Sequence, residues 1–256
     1  MASIQITTKI GCSNACAYCP QDRFVAAYRT RSDTLAMSFD TFVTCISKIP
    51  LDVDIIFAGM CEPWLNPACT SMLQYAHDRG HRIGVFTTLA GMQLSDLDVL
   101  KTIPFSFFRV HLPSERGWEK INTDQEYLSL LDGLLRSGIK AQYHWHGGGV
   151  RSEEGALLRR SAGKAELRSL YSRAGNYTVS KKPYNGRKRG SLRGSRRLRC
   201  NVLMPNGDIA LCSNDYGLKH VLGNLFNESY ESLFLGETFL MIERCHCDES
   251  LDFLCR

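Results

Sequence analysis

The sequence predicts an α/β protein, in which a parallel sheet is covered by helices and is followed by a smaller module of different composition. Strand-like and helix-like segments alternate along the chain up to about residue 146, as in a parallel sheet with crossover helices. From Cys200 onward the composition changes, and a turn-forming sequence separates two cysteines. The 256 residues are sufficient for one or two domains.

Apolar periodicity and capping residues define the individual elements. Ser38 caps the first predicted helix, and Gly80 and Gly138 end two later ones. The predicted strands cover residues 3–9, 53–58, 82–87, 105–111 and 139–145. The predicted helices cover residues 38–48, 68–79, 95–101, 124–137 and 152–171. No convincing sixth strand is evident, and a remnant at 177–179 is the candidate, so we expect the sheet to be truncated.

Three cysteines follow the first predicted strand at the spacing C-x3-C-x2-C, and they are Cys12, Cys16 and Cys19. Three thiolates can ligate three irons of a [4Fe–4S] cube and leave the fourth iron open to a molecule other than protein. A zinc site and three unrelated core thiols are the alternatives. Zinc knuckles prefer paired C-x2-C units with a later His or Cys pair, so the spacing favours the iron–sulfur cluster.

A second motif, Gly-x-x-Glu-Pro, follows the second predicted strand and runs from Gly59 through Glu62. Gly59 allows the backbone to come close to a ligand, and Glu62 can accept a hydrogen bond from an ammonium group. Together, the cysteine triad and this motif resemble the signature of the radical S-adenosylmethionine (SAM) superfamily. In that family the glycine-rich motif meets the amino group of SAM. Cys61 departs from the family pattern, in which Gly or Ser is common at this position.

The resemblance implies both a cofactor and a fold. In radical SAM enzymes SAM chelates the open iron, and one electron from the cluster cleaves it to a 5′-deoxyadenosyl radical. These enzymes use a partial (β/α)6 barrel of the TIM type, with SAM and substrate at the carboxyl ends of the strands. The resemblance therefore implies this barrel for residues 1–180. Thr87 and Thr88, at the end of the third strand, are candidate contacts of the SAM ribose or carboxylate, and the alternative is that these β-branched residues simply belong to the strand.

The C-terminal segment, residues 200–256, carries a second group of cysteines. Residues 205–208 (Pro-Asn-Gly-Asp) predict a β-hairpin that brings Cys200 and Cys212 together. Three further cysteines follow, and they are Cys245, Cys247 and Cys255. The segment resembles the SPASM/Twitch extension of radical SAM enzymes, which implies one auxiliary [4Fe–4S] cluster in a hairpin-and-helix module. The preferred ligand set is Cys200, Cys212, Cys247 and Cys255, with Cys245 as a rival, and a zinc ribbon is the alternative metal site.

Charge and hydropathy limit the expected partners and location. The net charge is +5, and residues 181–199 form a basic linker with nine Lys or Arg and no acid. This linker is a solvated connection, a phosphate or sugar-nucleotide contact, or a nucleic-acid contact; its few aromatic residues argue against nucleic acid. No apolar run could span a membrane and no signal peptide is evident, so reduced thiols in a cytoplasmic protein are expected.

Histidines at the ends of two predicted strands are candidate catalytic bases. His111 ends the fourth strand, and His144 and His146 lie near the end of the fifth, where a spacing of two places them on one face. Histidine can take a proton from a hydroxyl group near neutral pH. A packed or solvent-facing histidine is the alternative at each position.

The layout with one auxiliary cluster is similar to that of radical SAM/SPASM proteins of carbohydrate pathways, including dehydrogenases of butirosin biosynthesis. The similarity implies an oxidoreductase that dehydrogenates a small molecule, such as a polyol, an amino sugar or an anionic sugar nucleotide. It also implies a reductant such as flavodoxin or ferredoxin. Peptide maturation and sugar epimerisation are the alternative reactions, and a cluster-containing nucleic-acid-binding module is the non-enzyme alternative.

Overall fold

The computed structural model describes residues 2–161, 165–170 and 200–247. The strands in these ranges are β1 (Ser3–Ile6), β2 (Asp54–Phe57), β3 (Ile83–Thr87), β4 (Phe107–His111), β5 (Ala141–Trp145), β6 (Ala165–Leu167), β7 (Cys200–Leu203), β8 (Asp208–Ala210) and β9 (Val221–Asn224). The helices are α1 (Gln21–Arg29), α2 (Phe39–Ile46), α3 (Cys69–Asp78), α4 (Asp96–Leu100), α5 (Gln125–Arg136), α6 (Ser152–Arg160) and α7 (Glu237–Cys247).

All nine strands belong to one sheet with the order β6-β5-β4-β3-β2-β1-β7-β8-β9. Strands β1 to β6 are parallel, and each pairs with the next in chain order. At least one helix precedes each strand from β2 to β6. This is the predicted α/β fold, a partial (β/α)6 barrel.

The two faces of the barrel strands differ in burial, as β4 illustrates. Phe108 and Val110 are fully buried in the core that also contains Leu131 of α5. Arg109 and His111, which alternate with them, are half-buried and line a cavity on the inner face. Alternate side chains of a strand point to opposite faces, so β4 packs against helices on one side and contributes polar groups to a site on the other.

The sixth strand corrects the prediction of a truncated sheet. The predicted helix 152–171 ends at Arg160 as α6, and Ala165–Leu167 then pairs with β5 as β6. This edge strand is only three residues long, and Leu167 is 59% exposed. It therefore lacks the buried apolar run by which strands are recognised in a sequence. The alternative candidate at 177–179 lies outside the described residues.

Helix α1 was not predicted, because a short helix after the cysteine loop has a weak signal. Its N-terminal residue has no side-chain cap, and only Phe24 and Tyr28 are buried. These two residues are four apart and so lie on one face of the helix. They pack in a second apolar cluster with Met204 and Tyr216, which attaches the start of the barrel to the C-terminal segment.

The C-terminal hairpin is confirmed. Strand β7 pairs in parallel with β1 and antiparallel with β8, with Val202 opposite Ala210. The same register extended by two residues places Cys200 opposite Cys212. Cys245 and Cys247 belong to the last turn of α7, whereas Cys255 and the basic linker 181–199 lie outside the described residues. The division at 1–180, 181–199 and 200–256 stays a prediction.

No helix in the described ranges has both the length and the apolar composition that crossing a membrane requires.

Candidate cofactor and substrate site

A cavity of about 370 Å³ lies at the carboxyl ends of the barrel strands. Ten of the residues singled out in the sequence line it: Cys12, Cys16, Cys19, Gly59, Glu62, Thr87, Thr88, His111, His144 and His146. These residues come from the loops and strand ends that follow β1, β2, β3, β4 and β5. The parallel arrangement of the strands brings them together, because all the carboxyl ends meet at one edge of the sheet.

The cysteine loop is folded so that its three thiols face this cavity. The backbone N–H of Cys19 donates to the carbonyl of Cys16 at 2.9 Å, and that of Ala15 donates to the carbonyl of Cys12 at 3.4 Å. Ala15 has φ 38°, which is uncommon for a residue with a side chain. These hydrogen bonds and the Ala15 conformation give the cysteine loop two tight turns.

The donor set fits a [4Fe–4S] cube. Cys12, Cys16 and Cys19 line one cavity, and three thiolates are the donor set that a cube with one open iron takes. The Cys61 thiol, together with hydrogen bonds from the backbone of Glu62 and Asn14, lowers the pKa of Cys12 to about 6 despite its burial. These contacts stabilise the Cys12 thiolate, the form that binds iron, whereas burial raises the pKa of Cys16 to about 12.

Glu62 is buried and accepts hydrogen bonds from two threonines. Thr87 Oγ1 donates to Oε1 at 2.6 Å, and the backbone N–H and Oγ1 of Thr88 donate to Oε2 at 2.6 and 2.7 Å. Burial nevertheless raises the pKa of Glu62 to about 7, because these hydrogen bonds offset only part of the desolvation. A cationic group in the cavity would favour the ionised carboxylate. The structure thus places the threonines around Glu62, a contact that the sequence did not predict.

Gly59 has φ +87°, and a Cβ atom on it would overlap Oγ1 of Thr7. That threonine oxygen accepts a hydrogen bond from the backbone N–H of Met60 at 3.1 Å. Glycine is therefore required for a second reason besides the one predicted from the motif: it leaves room for the Thr7 side chain that fixes the loop.

The three histidines form one cluster on the cavity wall. The ring of His111 stacks on that of His144 with centroids 5.2 Å apart, and it meets His146 edge-on at 4.5 Å. Burial, followed by the charges of His111 and His146, lowers the pKa of His144 to about 3. His144 is consequently neutral near neutral pH. Nδ1 of His146 lies 2.8 Å from the carbonyl oxygen of Arg168.

Sequence analysis missed Glu119, which contacts His111 beneath the cavity wall. The side chain of Glu119 is fully buried, and its Oε1 lies 3.4 Å from His111 Nε2 and 3.0 Å from the Tyr18 hydroxyl. No motif marks this residue, since it lies in a loop after β4. The signal that could have directed attention to it is an acidic residue eight positions after a strand-end histidine.

The structure also reveals a contact between the cavity and the C-terminal hairpin. Gln5 of β1 lines the cavity, and its Nε2 donates to Sγ of Cys200 at 3.2 Å. Cys200 is half-buried and Cys212 is buried. Cys45 and Cys69, by contrast, are fully buried in the helix–sheet core.

No protein-family model matches the sequence, and no curated protein is similar to it in sequence. Solved structures do match in fold. BtrN in complex with AdoMet and 2-DOIA is similar over 100% of this chain and 91% of its own, with a TM-score of 0.62 and 14% identity. SuiB of Streptococcus suis bound to precursor peptide SuiA is similar over 95% of this chain and 66% of its own, with a TM-score of 0.66 and 14% identity.

A third match is native anSMEcpe with bound AdoMet, which is similar over 93% of this chain and 82% of its own, with a TM-score of 0.64 and 11% identity. At such low identities the likeness concerns the fold and not the activity. Two of these three structures contain AdoMet. The chain therefore shares the partial-barrel fold of these solved structures.

Proposed function

We propose that this chain is a radical SAM enzyme. Cys12, Cys16 and Cys19 would hold a [4Fe–4S] cluster, with SAM on its open iron. The observation that carries the proposal is that these three thiols, Gly59 and Glu62 line a single cavity at the carboxyl ends of parallel strands. When bound, the cluster and SAM supply a carbon-centred radical that can remove a hydrogen atom from a C–H bond.

Glu62 is the residue that we assign to the SAM ammonium group. Its carboxylate lies at the cavity and already accepts hydrogen bonds from Thr87 and Thr88. Asn14 supports this arrangement, because its Nδ2 donates to Thr88 Oγ1 at 2.8 Å. The two threonines orient the carboxylate, which leaves its remaining acceptor positions for the cationic ligand. The threonines themselves are also available to the SAM ribose or carboxylate.

The environment of Arg109 supports the proposal that the substrate carries a negative charge. Its guanidinium lies over the rings of Phe86 and Phe107, at 5.3 and 4.8 Å from their centroids, and its Nε donates to Gln142 Oε1. No carboxylate in the described part of the chain forms an ion pair with Arg109. A half-buried guanidinium without an acidic partner attracts a phosphate or carboxylate. Of a polyol, an amino sugar and a sugar nucleotide, only the last carries such a group.

We further propose that the reaction is a dehydrogenation. The histidine cluster provides bases for a hydroxyl proton, and a second cavity of about 520 Å³ that shares His144, His146 and Arg109 with the first offers room for the substrate. Cys200, Cys212 and the cysteines near the C-terminus would hold an auxiliary [4Fe–4S] cluster, which supplies an electron acceptor when bound. A flavodoxin or ferredoxin is the proposed external reductant.

The first experiment tests SAM cleavage. Anaerobically reconstituted protein is incubated with SAM and dithionite, and 5′-deoxyadenosine is measured by chromatography. We expect the wild type to form it and Cys16→Ala to lose at least 100-fold of this activity, since the cube loses a ligand. Cys45→Ala removes a buried thiol remote from the cavity and serves as the matched control. A wild type that binds iron without cleaving SAM contradicts the proposal.

Incubation with a panel of deuterated sugar nucleotides and aminocyclitols then distinguishes the substrate classes. Deuterium in 5′-deoxyadenosine identifies both the substrate and the carbon that loses hydrogen. A product two hydrogens lighter than the substrate supports dehydrogenation, whereas an isomer with solvent hydrogen supports epimerisation. Binding of RNA by a wild type that does not cleave SAM would favour the nucleic-acid-binding alternative.

A further inference from the structure

Glu119 is a buried carboxylate for which the proposed function has no role. Its Oε2 accepts hydrogen bonds from the backbone N–H and from Oγ of Ser114, both at 3.1 Å. Its Oε1 accepts a hydrogen bond from the Tyr18 hydroxyl at 3.0 Å and lies 3.4 Å from Nε2 of His111. Burial of a carboxylate is costly unless hydrogen bonds and a cation compensate for the lost water. Here three donors compensate, and the imidazole supplies the cation when it is protonated.

The surroundings keep Glu119 ionised. Burial alone would raise its pKa, but hydrogen bonds from His111, Ser114 and Tyr18, together with the charge on His111, lower the pKa to about 2. An ionised carboxylate can only accept hydrogen bonds. The nitrogen of His111 that lies 3.4 Å from this carboxylate is Nε2, so a proton on Nε2 is the one that Glu119 can accept in a hydrogen bond. The Tyr18 hydroxyl lies 3.4 Å from both ring nitrogens of His111.

The position of Glu119 is fixed relative to the cysteine loop. On one side of it, the carbonyl of Trp118 accepts a hydrogen bond from the backbone N–H of Ala17 at 2.8 Å. On the other side, the backbone N–H of Lys120 donates to the carbonyl of Asn14 at 2.7 Å. These two bonds attach the loop after β4 to the loop that carries the three cysteines. Glu119 thus connects the proposed cluster site with the histidine beside the substrate space.

We propose that Glu119 is a positioning residue that makes His111 the acceptor of the substrate hydroxyl proton. This inference rests on the proposed function. With the proton of the neutral ring held on Nε2 by Glu119, Nδ1 keeps its lone pair. In the proton transfer the substrate O–H bond breaks, its electron pair stays on oxygen, and a new N–H bond forms at Nδ1. The imidazolium that results is stabilised by the adjacent carboxylate.

His144 is less suited to this role. It is neutral and strongly resists protonation, because it is buried beside His111 and His146. His111 lies on the cavity wall, with the buried carboxylate of Glu119 3.4 Å from its Nε2.

The test compares Glu119→Gln with the matched control Glu115→Gln, which changes an exposed glutamate of the same loop. The reconstituted enzyme, the substrate found by the panel, SAM and dithionite are used, and 5′-deoxyadenosine and oxidised product are both quantified. We expect Glu119→Gln to lower product at least 10-fold while 5′-deoxyadenosine falls less than threefold, because radical formation does not need the base. The double variant with both His111→Gln and Glu119→Gln should form as much oxidised product as His111→Gln alone.

A second measurement does not depend on activity. Nitrogen-15 NMR of the cluster-free protein should show the neutral His111 ring with its proton on Nε2 in the wild type and in Glu115→Gln. Glu119→Gln should give a mixture of both tautomers, because the amide side chain can donate as well as accept.

An unchanged ratio of product to 5′-deoxyadenosine in Glu119→Gln, whether neither quantity falls or both fall equally, overturns the inference. A wild-type tautomer with the proton on Nδ1 does the same. Failure of the wild type to cleave SAM would instead overturn the proposed function, and it is recognised before the variants are compared.

Discussion

Gly59 combines a left-handed backbone with close packing against the Thr7 side chain. Both conditions act on the loop that carries Glu62, so Gly59 controls the shape of the cavity as well as local stability. Gly80 has a similar φ of +92°, but a Cβ atom there would meet nothing within 4 Å. The pair of glycines therefore separates the cost of backbone strain from the cost of steric overlap.

We expect Gly59→Ala to lower the free energy of unfolding by about 3 kcal/mol, because strain and overlap add. Gly80→Ala should cost only about 1 kcal/mol, which is the strain alone. Urea unfolding of the cluster-free protein, followed by circular dichroism, measures both values. Equal losses for the two variants would show that the Thr7 side chain moves aside without cost.

At the scale of secondary-structure elements, α2 is attached to the turn after β9 through one lysine. Nζ of Lys48, directly after α2, donates to the backbone carbonyls of Leu225, Phe226 and Glu228, the last two at 3.1 and 3.3 Å. A charged donor that satisfies several carbonyls contributes more than an exposed ion pair. This contact, together with the β1–β7 pairing, fastens the C-terminal segment to the barrel.

Replacement of Lys48 by Met should therefore destabilise the protein by about 2 kcal/mol, since three carbonyls lose a charged donor. Lys101→Met is the control, because Lys101 is exposed and pairs only with Asp98 three residues earlier; a loss below about 0.5 kcal/mol is expected there. Urea unfolding compares the two. If Lys48→Met matched the control, the β1–β7 pairing and the apolar cluster around Phe24 and Tyr28 would account for the attachment without this lysine.

On the scale of the whole molecule, one continuous sheet joins the two cysteine groups. The triad follows the carboxyl end of β1, and Cys200 begins β7 beside Ser3, at the amino end of β1. Gln5 lies between them, because it lines the cavity and also donates to Cys200. The triad and Cys200 thus lie towards opposite ends of β1.

This arrangement predicts two independent clusters. Anaerobically reconstituted wild type should contain about eight irons per chain, as two [4Fe–4S] cubes require. Replacement of Cys12, Cys16 and Cys19 by Ser should leave about four irons per chain. Replacement of Cys200 and Cys212 by Ser should also leave about four irons per chain. Cys69→Ala, at a buried core thiol, should retain about eight. Iron and sulfide assays measure these values, and about four irons in the wild type would rule out an auxiliary cluster.

Local sequence patterns determined much of the architecture. Apolar periodicity and caps identified β1 to β5 and α2 to α6, and turn chemistry identified the β7–β8 hairpin. Motif spacing identified the triad, Gly59 and Glu62, which the structure gathers at one cavity. These features were predictable because helix period, turn preference and ligand spacing act between residues that are close in the chain.

The tertiary structure alone decided the contacts that complete the site. Thr87 and Thr88 surround Glu62, Gln5 reaches Cys200, and Tyr18 joins Glu119 across 101 positions of sequence. Such contacts depend on strand order, register and the path of loops, and none of these leaves a periodic trace in the sequence. Strand β6 was hidden for a related reason: its pairing with β5, not its own apolar pattern, makes it a strand.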